Sequence, residues 1–120
     1  MKIHRALLAV LSAVALVPAF AQADGYPSRT VTVVVPFPAG NTGDVLWRTL
    51  GSVISKDWGK PLVVDNKPGS GGALGAQLVM AAPADGYTLL HGSNGPIAIG
   101  PHLNKNITYD PRKDFTPIML

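Results

Sequence analysis

The sequence of 120 residues contains no cysteine and no glutamate, and its seven acidic residues are all aspartate. Without cysteine there is no disulfide framework, no cysteine-based zinc site and no lipid-anchored lipoprotein start. The histidines, at positions 4, 91 and 102, lack the spacing of metal ligands. No serine, histidine and aspartate pattern supports catalysis by its spacing alone. The main prediction is therefore a protein without catalytic residues, cofactor or metal.

Charge is also scarce, since only 14% of the residues are Asp, Glu, Lys or Arg. The apolar content of 47% is that of a globular chain. The lysines and arginines are scattered, without a basic run or interleaved aromatic residues. This distribution argues against nucleic acid as a partner.

The uncharged and mostly apolar run from Ala6 to Val17 is too short to span a membrane, which takes about 20 apolar residues. It follows the basic residues Lys2 and Arg5 and precedes small residues in an A-x-A pattern. These features predict a secretory signal peptide over residues 1–23, cleaved after Ala23 or alternatively after Ala21. Its removal leaves 8 basic and 7 acidic residues, a net charge of +1. An exported chain without cysteine is expected in the periplasm.

The rest of the chain reads as alternating strands and helices, which predicts an α/β fold with a parallel βαβαβ sheet. Val31–Val35 is β-branched throughout and lacks polar alternation, so a buried parallel strand is expected there. The other elements are a helix from Val45 to Trp58, a second buried strand over 61–65, a helix over 73–82 and a strand over 87–91. Thr42 or Asp44 is expected to cap the first helix.

Each predicted strand ends in a loop rich in glycine, and parallel strands place these loops at one edge of the sheet. Ligands of open α/β sheets bind at that edge, where the strand order reverses. If the first strand is central, the loops after Val35 and His91 face each other. A glycine loop before a helix suits an anion, because backbone N–H groups and the positive helix end point at it. The alternative is that Gly and Pro merely make a tight connection.

Two enzymatic alternatives stay open, a small exported α/β hydrolase and a nucleotide-binding enzyme. Gly69-x-Gly71 lies between a strand and a helix, as a dinucleotide motif would. The third glycine, Gly75, comes one residue late, and no acidic residue follows about 20 positions on. The sequence contains neither a Walker A motif nor a G-x-S-x-G motif.

Four motifs occur in an order that resembles one family along essentially the whole predicted mature chain. They are Pro36–Gly40 closing on Asp44, Asp65–Gly72, Pro83–Leu90 and Tyr109–Ile118. Together they resemble the N-terminal part of the Bug solute receptors, which serve tripartite tricarboxylate transporters.

The resemblance implies a two-lobed periplasmic binding fold of type II that holds a small carboxylate through backbone N–H groups and waters. It implies a receptor and not an enzyme, a monomer, whose partners are the carboxylate and the transporter's membrane components. The ligand would be a di- or tricarboxylate, a carboxylated amino acid or an aromatic acid. The residues carried over by position are Phe37, Pro38, Ala39, Gly40, Asn41, Thr42, Asp44, Gly92, Ser93, Asn94 and Gly95.

Two departures from the family pattern affect this expectation. The family loop usually reads A-G-G where this chain has Ala39-Gly40-Asn41, so the Asn41 side chain could narrow the site or add a contact. Family members are also much longer. Residues 24–120 are therefore expected to form the N-terminal part of the first lobe, an incomplete fold without the second lobe.

Overall fold

The structure is a computed structural model that describes residues 25–119. The predicted signal peptide lies outside the described residues. The elements, in chain order, are strand β1 (Val31–Val35), helix α1 (Thr42–Trp58), strand β2 (Leu62–Asn66), a 3-10 turn (Ser70–Gly72), helix α2 (Ala73–Met80), strand β3 (Thr88–Leu90), a π-helical turn (Gly95–Ile99) and the short helices α3 (Gly100–Leu103) and α4 (Pro111–Asp114). Within this part of the chain no helix is long and apolar enough to cross a membrane.

The three strands form one parallel sheet in the order β2-β1-β3. This confirms both the βαβαβ pattern and the assumption that the first strand is central. β1 forms the core: Val31, Val33 and Val35 are fully buried. Consecutive valines suit this position, because a central strand of a parallel sheet is covered on both faces.

The prediction that the second strand is buried is wrong. β2 is an edge strand of the described sheet, and Val63 on it is 46% exposed. Its apolar run resembles that of β1, but only β1 has a neighbouring strand on each side.

Helix α1 begins one residue after Asn41, whose side-chain oxygen accepts a hydrogen bond from the N–H of Asp44 at 3.0 Å. Asn41 is thus the N-cap, and the expectation of Thr42 or Asp44 in this role is wrong. Thr42 and Asp44 both lie inside the first turn, whereas an N-cap residue precedes the helix and its side chain accepts from an N–H of the first turn. The helix ends at Gly59, which adopts a left-handed conformation with φ of 63°, the usual C-terminal signal.

Small residues of α1 pack against the sheet, and four of its apolar residues lie on the exposed side. Gly51 is buried, and the Ser55 hydroxyl oxygen accepts a hydrogen bond from the Leu62 N–H at 2.8 Å. Val45, Leu46, Leu50 and Val53 are between 40% and 56% exposed. We call these four residues the apolar stripe of α1.

Candidate functional site

The loops that follow the three strands are in mutual contact at the carboxyl edge of the sheet. A Cβ added to Gly72, in the loop after β2, would lie 3.1 Å from the Pro96 ring and 3.4 Å from Pro36. A Cβ on Gly95 would lie only 2.8 Å from the Gly71 carbonyl oxygen. Only glycine at positions 72 and 95 lets these loops come this close, which indicates that the loops converge on one location.

The loop after β1 is held by Asp44, whose side chain is 5% exposed. Its carboxylate accepts hydrogen bonds from the Gly40 N–H at 2.8 Å and from Arg48 Nε at 2.9 Å. The hydrogen bond from Arg48 has the largest effect on the pKa of Asp44 and lowers it below its usual value, and the hydrogen bond from Gly40 lowers it further. With the Asn41 cap, these contacts resemble a capping box and fix the loop's conformation.

The first turn of α1 offers backbone donors next to this loop. The Asp44 N–H is taken by the Asn41 side chain, and the Val45 N–H by the Asn41 carbonyl oxygen. The N–H groups of Thr42 and Gly43 precede them, and an α-helix provides no internal acceptor for its first donors. They therefore suit an anion, and the positive end of the helix dipole adds to the attraction.

The loop after β3 carries a buried hydroxyl without a partner. Ser93 Oγ is sealed from solvent and makes no hydrogen bond with the residues the structure describes. A buried hydroxyl is ordinarily hydrogen-bonded, because an unmade bond costs about 1–3 kcal/mol. Such an orphaned group at a site where ligands commonly bind indicates a missing partner.

The segment after Ser93 is anchored from the C-terminal part of the chain. The Ile97 N–H donates to the Ser93 carbonyl oxygen at 3.1 Å, and the hydroxyl of buried Tyr109 donates to the Pro96 carbonyl oxygen at 2.7 Å. Burial raises the pKa of Tyr109, which keeps the hydroxyl a donor. The loop after β3 is therefore fixed at both ends, by β3 and by Tyr109.

Ten of the eleven residues predicted for the site fall in the loops after β1 and β3 or in the first turn of α1, and Gly95 begins the π-helical turn that follows. Asp44 is buried, Asn41, Ser93 and Gly95 are half-buried, and Pro38, Ala39, Gly40, Thr42, Gly92 and Asn94 are exposed. Phe37 is half-buried, and its carbonyl oxygen accepts from Asn66 Nδ2 at 3.1 Å. The fold brings these residues to one edge, while their contact with a ligand stays a prediction.

Sequence reasoning missed three residues at this edge, Gly43, Trp47 and His91. Trp47 Nε1 donates to His91 Nδ1 at 3.1 Å, and a Cβ on Gly43 would lie 2.6 Å from His91 Nε2. Burial lowers the pKa of His91 from its ordinary value, which favours the neutral ring. The available signal was the position of His91, directly after a strand of the parallel sheet.

The described residues contain no group of three or more potential metal ligands. Ser93 Oγ is also not hydrogen-bonded to His91, as a serine nucleophile would be to its base. The dinucleotide interpretation gains no support either, because Gly75 is used in packing. A Cβ there would lie 2.8 Å from Pro36 Cβ.

Comparisons with known proteins agree with the fold. The family described as tripartite tricarboxylate transporter family receptor matches residues 46–120. Protein BugT of Bordetella pertussis is 37% identical over 116 residues, 96% of this chain and 36% of that protein. A UPF0065 protein of Bordetella bronchiseptica is 40% identical over 112 residues, 93% of this chain and 33% of its own length. The chain thus spans about a third of the length of these relatives.

Two solved structures show the same arrangement of elements. The periplasmic binding protein BugD is 41% identical with a TM-score of 0.71, over 78% of this chain and 31% of that one. MatC from Rhodopseudomonas palustris, solved with bound malate, is 41% identical with a TM-score of 0.70, over 77% of this chain and 31% of that one. The prediction of a parallel sheet of the periplasmic binding protein type is confirmed.

Proposed function

The chain belongs to the tripartite tricarboxylate transporter receptor family, and we propose that it is a periplasmic solute receptor that binds a small carboxylate. In this proposal the receptor carries out no chemistry and delivers its ligand to the membrane components of a tripartite tricarboxylate transporter. The malate in the related MatC structure supports the ligand class. Export and cleavage after Ala23 belong to the same proposal, and N-terminal sequencing of the protein from a periplasmic extract checks them.

The observation that carries the proposal is the orphaned hydroxyl of Ser93 at the edge where the loops after β1 and β3 converge. A carboxylate oxygen accepts hydrogen bonds only, and it would supply the partner that Ser93 Oγ lacks once the loop after β3 shifts to uncover this sealed atom. The N–H groups of Thr42 and Gly43 offer further donors at the same edge. Asp44 would contribute indirectly, because its carboxylate already holds Gly40 and Arg48.

The number of donors sets the affinity expected of this chain. Hydrogen bonds to a charged group contribute about 1.5–3 kcal/mol each. Two or three of them, after the cost of association, fall short of the roughly 8 kcal/mol of a micromolar complex. We therefore expect dissociation constants in the millimolar range for the chain of 120 residues.

A titration followed by two-dimensional amide NMR tests this function. Malate, citrate, glutamate and benzoate represent the four ligand classes, and millimolar binding is within reach of the method. We expect one class to shift the amide signals of Thr42, Gly43 and Ser93 in a saturable manner. The absence of saturable shifts at these residues with all four acids would overturn the proposal, and micromolar binding would contradict the affinity argument.

Substitution of Ser93 by alanine separates a binding role from a structural one. Since Ser93 Oγ makes no bond in the free protein, Ser93→Ala is expected to leave the free energy of unfolding unchanged or to raise it. Loss of one bond to a carboxylate is expected to weaken binding about tenfold. Ser52→Ala on the exposed side of α1 is the matched control for binding and should leave the affinity unchanged.

A further inference from the structure

His91 lies between the two loops proposed to bind the ligand. Its backbone N–H donates to the Val34 carbonyl oxygen at 2.9 Å, which extends the pairing of β3 with β1 to the carboxyl edge of the sheet. Its side chain is half-buried and reaches across to the first turns of α1. The imidazole ring thus joins the loop that contains Ser93 to the helix that begins at Thr42.

The contact with Trp47 fixes which ring nitrogen of His91 carries the proton. An indole nitrogen can only donate, so His91 Nδ1, 3.1 Å from Trp47 Nε1, is the acceptor and carries no hydrogen. A ring whose Nδ1 carries no hydrogen is neutral, and burial, which lowers the pKa of His91, favours this form. The single ring proton is therefore on Nε2, and the side chain presents Nε2–H as a donor.

The position of this donor follows from the contact with Gly43. An ideal Cβ on Gly43 would lie 2.6 Å from Nε2 and 2.8 Å from Cδ2 of His91. Real Cβ atoms do not approach that closely, so the ring occupies space that any other residue at position 43 would need. Nε2 is thus held against the first turn of α1, where the N–H groups of Thr42 and Gly43 have no internal acceptor. Within residues 25–119, Nε2–H makes no hydrogen bond.

We infer that His91 is a further ligand-binding residue, which donates from Nε2–H to an oxygen of the carboxylate bound at the first turn of α1. Trp47 is the positioning residue that holds the ring in this tautomer, and Gly43 leaves the space for it. This inference rests on the proposed function, and it assigns to the site a side-chain donor from the end of β3. The His91 Nε2–H and the N–H groups of Thr42 and Gly43 are donors only and select for an acceptor, and the positive end of the helix dipole favours an anionic one.

Ring-nitrogen NMR of the free protein tests the geometry before any ligand is added. In a protein labelled with ¹⁵N, we expect His91 to show a protonated Nε2 and an unprotonated Nδ1 at pH 7. Trp47→Phe removes the indole donor and should produce a mixture of tautomers. A proton on Nδ1 in the unsubstituted protein would overturn the inference.

Affinity measurements then test the contact with the ligand, with the acid that binds most tightly among malate, citrate, glutamate and benzoate as the probe. His91→Phe keeps a ring of similar size without nitrogen atoms, and we expect it to weaken binding about tenfold. His91→Gln retains an N–H donor and an acceptor for Trp47, and should recover most of the affinity. His102→Phe, at an exposed position of α3, is the matched control and should bind normally.

Gly43→Ala provides a second variant, in which His91 is intact but displaced. It should weaken binding while preserving the helix, since alanine is a better helix former than glycine. Urea unfolding of each variant establishes that it is folded at the titration temperature.

The outcomes separate this inference from the function on which it rests. If no acid binds the unsubstituted protein, the receptor function is overturned together with the role of His91. If an acid binds and both His91→Phe and Gly43→Ala bind it equally well, only the role of His91 is overturned.

Discussion

Asn41 is the N-cap of helix α1. Its side chain accepts from the Asp44 N–H, and the Asp44 carboxylate in turn accepts from the Gly40 N–H. The Asn41 side chain thus satisfies the backbone N–H of Asp44, and the Asp44 side chain satisfies the backbone N–H of Gly40, which precedes Asn41. The Asn41 side-chain oxygen consequently points into the helix start, which leaves Thr42 and Gly43 as the donors for a ligand.

The cap can be measured by substitution. Asn41→Ala should lower the free energy of unfolding by about 1 kcal/mol, while Asn41→Gly should lower it by only a few tenths, because glycine is accepted at N-caps. Urea unfolding followed by circular dichroism gives both values. Asn106→Ala serves as a control, because its exposed side chain caps no helix. Equal stability of Asn41→Ala and the original protein would show that the cap contributes nothing.

At the scale of elements, α2 is positioned by a close approach to the end of β1. Ala73 and Ala76 are buried, and a Cβ on Gly75 would lie 2.8 Å from Pro36 Cβ and 3.1 Å from its Cα. These small residues let the helix lie directly on the start of the loop after β1. The position of that loop therefore depends on a helix that supplies none of the proposed ligand contacts.

Gly75→Ala tests this dependence. In a free helix, alanine would be favoured over glycine by about 1 kcal/mol. Here the clash with Cβ and Cα of Pro36 should dominate, and we expect a net loss of about 1–3 kcal/mol in the free energy of unfolding. Gly51→Ala in α1 is the matched control, because its Cβ would meet the movable end of Leu62 at 3.0 Å. A stabilised Gly75→Ala protein would show that the loop has room to shift.

On the scale of the whole molecule, the described part of the chain has a small core and an extensive exposed apolar surface. The core centres on β1, whereas the apolar stripe of α1 and Val63 of β2 are exposed in residues 25–119. Single exposed apolar residues are common, but a stripe along one side of a helix is less so. The stability of this part of the chain should therefore come from β1 and not from the stripe.

Two sets of substitutions compare these surfaces. A double substitution in the stripe, Leu50→Gln with Val53→Gln, should change the free energy of unfolding by no more than about 0.5 kcal/mol, because both side chains are already exposed. Val33→Ala in the core should cost about 2 kcal/mol. Urea unfolding measures both. A loss above about 1 kcal/mol in the stripe variant would show that the stripe is covered in the protein.

The sequence by itself determined the order of elements, because the relevant signals are local. β-branched residues in Val31–Val35 predict a strand, Gly59 ends α1, and glycine and proline mark each loop. The strands of a parallel sheet all run in the same direction, so the order of elements also predicts that the three loops lie at one edge of the sheet. The eleven candidate residues could be placed at that edge for the same reason, with the family motifs selecting them.

Tertiary structure alone decided which surfaces are in contact. Hydrophobic spacing in α1 predicted a helix but not that Gly51 and Ser55 would pack on the sheet, and the apolar run of β2 did not reveal an edge strand. The pairing of His91 with Trp47 joins residues 44 positions apart, and the space for it depends on the missing side chain of Gly43. Such contacts depend on the relative position of β3 and α1, which no local pattern encodes.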